Sequence, residues 1–301
     1  MRCCSLLILL LAVFISAAAA QGRIDCNSLN SSILKQSVHY CVMLPSGYDD
    51  AAKARPPRRY PVLYFLHGLG DNEQSMFKEG GWTLVEDLRR QKQISDFLIV
   101  APEGRANFYI NSADGRVLYN DFFVDEFIPY IEAHYSVRRE RAARAISGVS
   151  MGGYGALRFA FAHPELFSSV SAQSAALITD SPQELTAAMR SGSELKNVLS
   201  SAFGNPIDIG HWNRNSPFVL AKQNRKRLDG LAIFFDCGRN DDFGFEKGAA
   251  DLHQQLQAEG VPHEYHLYPG DHGSTFFLAH LGETMRFHSE AFAANAPAKP
   301  R

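Results

Sequence analysis

Short, nearly unbroken apolar runs separated by polar turns set the rhythm of this chain. Tyr60–Leu66 (Y-P-V-L-Y-F-L), Phe97–Ala101 (F-L-I-V-A) and Leu231–Cys237 (L-A-I-F-F-D-C) are short and lack the alternation of a half-exposed strand. They predict strands covered on both faces. Ser37–Leu44 alternates and closes on the turn Pro45-Ser46-Gly47-Tyr48, and Leu166–Ser174 and Glu264–Tyr268 add two more strands. Between these runs the period changes. In Asp121–Tyr135, the residues Phe122, Phe123, Phe127, Ile128, Ile131 and Tyr135 recur at spacings of three and four, which predicts an amphipathic helix. Trp82–Arg89, Gly244–Glu259 and Ser274–Ala294 predict further helices, the second stopped by Gly260. Asp49–Arg59, polar and carrying two prolines, reads as a surface loop.

Strands alternating with helices in this way imply one mostly parallel sheet with helices on both faces. Residues 176–230 break the alternation: they are helical and loop-rich and contain no sheet strand, so they read as an insertion near the mouth of a site. No repeat or linker divides the chain, so residues 21–301 form a single domain. Its 46% hydrophobic content is ample for a core.

Residues 1–20 have the build of a secretory signal. Arg2 is the basic start, Leu6–Ile15 the apolar core, and Ala18-Ala19-Ala20 the small residues before cleavage. A secreted or periplasmic location follows, without stable membrane insertion after cleavage. That compartment permits disulfides. Cys26 and Cys41 face each other if their segments form a hairpin turning near Ser31–Ser32, whereas Cys237 sits in an apolar run and reads as a buried thiol. The net charge of −2 is spread along the chain with no basic stripe, which argues against nucleic acid as a partner.

Candidate chemistry gathers at the ends of the expected strands, where ligands bind in an open α/β sheet. Ala145–Ser147 ends a strand, and Gly148-Val149-Ser150-Met151-Gly152 then fits G-x-S-x-G, the sharp turn that presents a serine hydroxyl. Ser150 is the candidate nucleophile. The Leu231–Cys237 strand leads to Gly238-Arg239-Asn240-Asp241-Asp242, and the last strand to Pro269-Gly270-Asp271-His272-Gly273. A serine hydroxyl needs a base, and that base needs a carboxylate to orient it. His272 is the candidate base and Asp241 the preferred acid, with Asp242 the competing choice. An oxyanion needs two N–H donors; Met151 can supply one and Leu69, in the turn His67-Gly68-Leu69-Gly70, the other. His67 and Gly68 in that turn, and Trp212 in the insertion, are the candidate substrate contacts.

The stretches Tyr40–Tyr48 (Y-C-V-M-L-P-S-G-Y), Leu66–Gly70 (L-H-G-L-G), Gly148–Gly155 (G-V-S-M-G-G-Y-G), Cys237–Phe243 (C-G-R-N-D-D-F) and Gly270–Gly273 (G-D-H-G) resemble the esterase family of α/β-hydrolases. That family holds esterase D, feruloyl and acetyl-xylan esterases and the mycolyltransferases. The resemblance implies an α/β-hydrolase fold with the triad Ser150, Asp241 and His272 and the oxyanion donors Leu69 and Met151. It also implies a serine carboxylesterase acting on acyl or aryl esters, of small molecules or linked to carbohydrate, with no metal or cofactor. The alternatives are an acyltransferase of the mycolyltransferase type and a hydrolase fold kept only for binding. One departure bears on substrate: relatives acting on glutathione thioesters carry a cysteine shortly after the oxyanion turn, where this chain has Asp71-Asn72.

Overall fold

The computed structural model describes residues 22–190 and 195–295. The segment read as a signal, residues 1–20, lies outside the described residues. Eight strands form one sheet in the order β1-β2-β4-β3-β5-β6-β7-β8. Strands β1 (Arg23–Ser31) and β2 (Gln36–Leu44) make an antiparallel hairpin at one edge, and β2 also pairs antiparallel with β4 (Leu98–Pro102). From β4 onward, β3 (Val62–Leu66), β5 (Arg144–Val149), β6 (Ser169–Gln173), β7 (Ala232–Gly238) and β8 (Glu264–Tyr268) run parallel. This is the α/β-hydrolase arrangement.

The central strands are buried on both faces because their side chains alternate between two cores. Val62, Tyr64 and Leu66 of β3 point into the larger one, with Phe123, Phe127, Leu157 and Phe159; Leu63 and Phe65 point into the smaller one, with Val85, Leu88, Leu281 and Met285. Helices α2 (Trp82–Arg90) and α11 (Ser274–Ala294) cover the second face, while α4 (Ile128–His134), α5 (Met151–Ala162) and α10 (Phe245–Ala258) cover the first. Between β6 and β7 the chain runs through α6 (Pro182–Arg190), α7 (Leu195–Phe203), α8 (Ile209–Asn215) and α9 (Pro217–Asn224).

Two local elements depart from the pattern reading. From the last residue of the Pro45–Tyr48 turn into the expected loop Asp49–Arg59, Tyr48–Lys53 forms the short helix α1, with Asp49 and Asp50 in its first turn and Lys53 in its last. Those charges complement the helix dipole. The Asp121–Tyr135 helix is not uniform: the single turn α3 (Tyr119–Asp121) leads into wide, π-type turns over Phe122–Phe127 before α4 begins. Pro129, near the start of α4, has no N–H to donate, and a π-type bulge upstream accommodates that loss. The hairpin turn falls after Ser31, between β1 and β2, and its register sets Cys26 against Cys41, which are joined in a disulfide.

Candidate active site

Ser150 sits between β5 and α5 with φ 53° and ψ −118°, a conformation that costs a non-glycine residue free energy. The neighbouring backbone holds it there. Its N–H donates to Gln173 O at 2.9 Å, and its carbonyl accepts from Tyr154 and Ala176, each at 3.0 Å. The close approach requires glycine on both sides: a Cβ on Gly148 would lie 2.3 Å from Gly152 O, and one on Gly152 only 2.0 Å from Leu66 O. Neither backbone can yield.

The loop after β8 brings His272 across to Ser150. His272 Nε2 lies 2.9 Å from Ser150 Oγ, and its Nδ1 lies 2.6 Å from Asp241 Oδ2. Asp241 follows β7, and its other oxygen accepts the N–H groups of Phe243 (3.0 Å) and Phe245 (3.3 Å). Burial acts to raise the Asp241 carboxyl, but the hydrogen bond and charge of His272 and the two amides outweigh it, so its pKa falls below the usual value. Asp242 takes another place, accepting the backbone N–H of His272 at 3.1 Å. It holds the loop rather than the ring. Cys237 is buried, its thiol pushed well up by that burial, and its Sγ lies 3.6 Å from Asp241 Oδ2.

Opposite the histidine, the β3 turn packs directly on the serine, since a Cβ built on Gly68 would lie 3.6 Å from Ser150 Cβ. The N–H groups of Leu69 and Met151 have no acceptor among the described residues, and both residues line the same cavity. The arrangement can therefore deprotonate a hydroxyl and receive negative charge on an adjacent oxygen.

That cavity, about 700 Å³, also has Phe108, Leu177, Leu185 and Leu199 as an apolar wall, Phe243 and Phe277 beside His272, and Asp71, Glu79, Asp180 and Lys247 among its lining. Burial, then Asp71, raises the pKa of Glu79. Two expected substrate contacts lie elsewhere. Trp212 does not line the cavity: its ring packs 4.6 Å from Phe203, against the larger core. His67 is only 2% exposed and outside that lining; its Nε2 accepts the Gly104 N–H at 2.8 Å, which leaves the proton on Nδ1 to donate to Gly68 O at 2.7 Å. Gly68 does line the cavity. Phe108 and Phe277 belong to no motif in the sequence that marks them as cavity residues. Phe243 alone carried a signal, as an aromatic two places after the candidate acid.

The model of the esterase family, described as "Putative esterase", matches residues 31–288. The chain belongs to the esterase family. An esterase of Mycobacterium tuberculosis strain H37Rv is 30% identical over 250 residues, covering 77% of this chain and 51% of the relative. The chain thus spans about half the length of that protein. The acetyl esterase of Caldicellulosiruptor saccharolyticus is 25% identical over 86% of this chain and 96% of its own length. Among solved structures, a ferulic acid esterase superposes with a TM-score of 0.76 at 25% identity, over 90% of this chain and 99% of that one. A fluorophosphonate-binding serine hydrolase of Staphylococcus aureus, 20% identical, shares the fold with a TM-score of 0.73 over 88% of this chain and 97% of its own. No helix among the described residues of this family member is long and apolar enough to cross a membrane.

Proposed function

We propose that the protein is a secreted serine carboxylesterase that hydrolyses acyl or aryl esters, acetyl and feruloyl esters among them, through an acyl-enzyme. One observation carries the reading: His272 stands within hydrogen-bond reach of both Ser150 Oγ and Asp241 Oδ2. In this mechanism Ser150 Oγ attacks the ester carbonyl as His272 Nε2 takes its proton. Asp241 holds Nδ1–H and stabilises the imidazolium, and the N–H groups of Leu69 and Met151 receive the oxyanion. The tetrahedral intermediate collapses, the C–O bond breaks, and His272 returns the proton to the leaving oxygen. Water, deprotonated by the same ring, then releases the carboxylic acid. The ester range draws on the acetyl esterase and ferulic acid esterase relatives. Secretion draws on the pattern of residues 1–20 and on the disulfide.

Ser150→Ala is expected to cut turnover of p-nitrophenyl acetate by on the order of 10⁴ or more while leaving the circular dichroism spectrum unchanged. Full residual turnover in that variant would falsify the nucleophile assignment.

A further inference from the structure

Phe243 is 61% exposed, the most exposed of the large hydrophobic side chains among the described residues. An aromatic ring at a surface position packs on whatever neighbours it has, and this one finds only two rings among the described residues, Phe245 and His272, for part of its surface. Its backbone N–H donates to Asp241 Oδ1 at 3.0 Å, so the acid that orients His272 also fixes the base of the Phe243 side chain. One face of the ring stacks on Phe245, with centroids 5.5 Å apart and planes 21° from parallel. Its position against His272 is edge-to-face, with centroids at 4.8 Å and an interplanar angle of 81°. What remains free is an apolar surface on the cavity lining, next to the imidazole.

Proton transfer says what that surface meets. In the proposed esterase reaction, on which this inference rests, His272 Nε2 delivers its proton to the leaving oxygen as the acyl C–O bond breaks. The electron pair of that bond stays on the oxygen, which departs as a neutral alcohol. The leaving group must therefore stand beside His272 at that moment, and the free surface of Phe243 is beside His272 too. Leu69, 45% exposed, lies on the same cavity from the oxyanion turn. We propose that Phe243 is a specificity-determining residue that packs on the alcohol half of the ester, so that esters of aromatic or other flat apolar alcohols are favoured over esters of small aliphatic ones. Aromatic contacts of this kind discriminate by about tenfold, which corresponds to about 1.4 kcal/mol.

The test holds the acyl group constant and varies the alcohol. Values of kcat/KM for benzyl acetate and ethyl acetate are measured with the wild-type protein, Phe243→Ala and Phe243→Tyr. The wild type is expected to prefer benzyl acetate. Phe243→Ala should lower the benzyl-to-ethyl ratio by about tenfold, and Phe243→Tyr, which keeps the ring, should hold it within about twofold. An unchanged ratio in Phe243→Ala, whether both esters slow equally or neither does, overturns the assignment and leaves the esterase reading standing. A wild-type protein inactive on every ester would instead sink the esterase reading, and this inference with it.

Discussion

Gly68 O is held from two directions, by the Nδ1–H of His67 at 2.7 Å and by the N–H of Asp71 at 3.3 Å. A trans peptide places its C=O and N–H on opposite sides, so pinning the Gly68 carbonyl aims the Leu69 N–H the other way, away from His67. His67 is itself fixed: Gly104 donates to its Nε2, and Tyr109 Oη donates to its carbonyl at 2.9 Å. Burial keeps its pKa below the usual histidine value, which preserves the neutral tautomer that this arrangement needs. We therefore propose that His67 is a positioning residue, outside the lining of the main cavity. His67→Ala is expected to lower kcat on p-nitrophenyl acetate by about ten- to a hundredfold, short of the loss of a whole oxyanion donor, with KM little changed. If KM rises instead while kcat holds, the residue binds substrate after all.

At the scale of elements, the strands were legible because both faces of the sheet are covered, which leaves apolar runs such as Phe97–Ala101 with no competing reading. The elbow and the two loops bearing Asp241 and His272 were legible because they sit where such strands must end. Helix α1 was not, since its six residues, Tyr-Asp-Asp-Ala-Ala-Lys, are too few to show a helical period and precede two prolines, and neither were the π-type turns before Pro129, which leave the apolar spacing intact. Nor could Trp212 be placed, because an aromatic in a helical insertion packs on Phe203 or on a ligand with the same local sequence. A quieter feature lies where β6, β7 and α11 meet. Asp236 of β7 pairs with Gln173 of β6 and His266 of β8; both of its carboxyl oxygens, together with Gln173 Oε1 and Thr284 Oγ1, are buried without a hydrogen-bond partner. Burial, then Glu283 of α11, raises its pKa well above the usual value. The unfolded carboxyl titrates near pH 4, so its contribution to stability is full below that pH and is lost as pH rises toward the folded pKa. Asp236→Asn removes the charge and adds a donor. It is expected to flatten the fall in melting temperature between pH 4 and pH 8; a variant whose curve parallels that of the wild type would show that Asp236 does not govern this slope.

Across the whole molecule, the disulfide and the proposed catalytic loops lie at opposite ends of the sheet. The proposed acid and base, Asp241 and His272, follow β7 and β8, at one edge, whereas the disulfide joins β1 to β2 at the other, with β4 and β3 between that hairpin and β5, which leads into Ser150. Edge strand β1 pairs with one neighbour only and is largely exposed, so its own packing stabilises it weakly. The Cys26–Cys41 link closes a loop spanning 15 residues, and the chain-entropy estimate for such a loop is about 3 kcal/mol. In a domain of this size that corresponds to a melting temperature several degrees higher. Cys26→Ser with Cys41→Ser, or reduction by dithiothreitol, is therefore expected to lower the melting temperature by several degrees. The ester kinetics at 25 °C should stay within about twofold, because one pH-independent increment of stability is removed far from Ser150. An unshifted melting temperature would mean that the β1–β2 and β2–β4 pairing holds the hairpin without the disulfide, and a large loss of kcat would mean that the edge of the sheet is coupled to the elbow through β3.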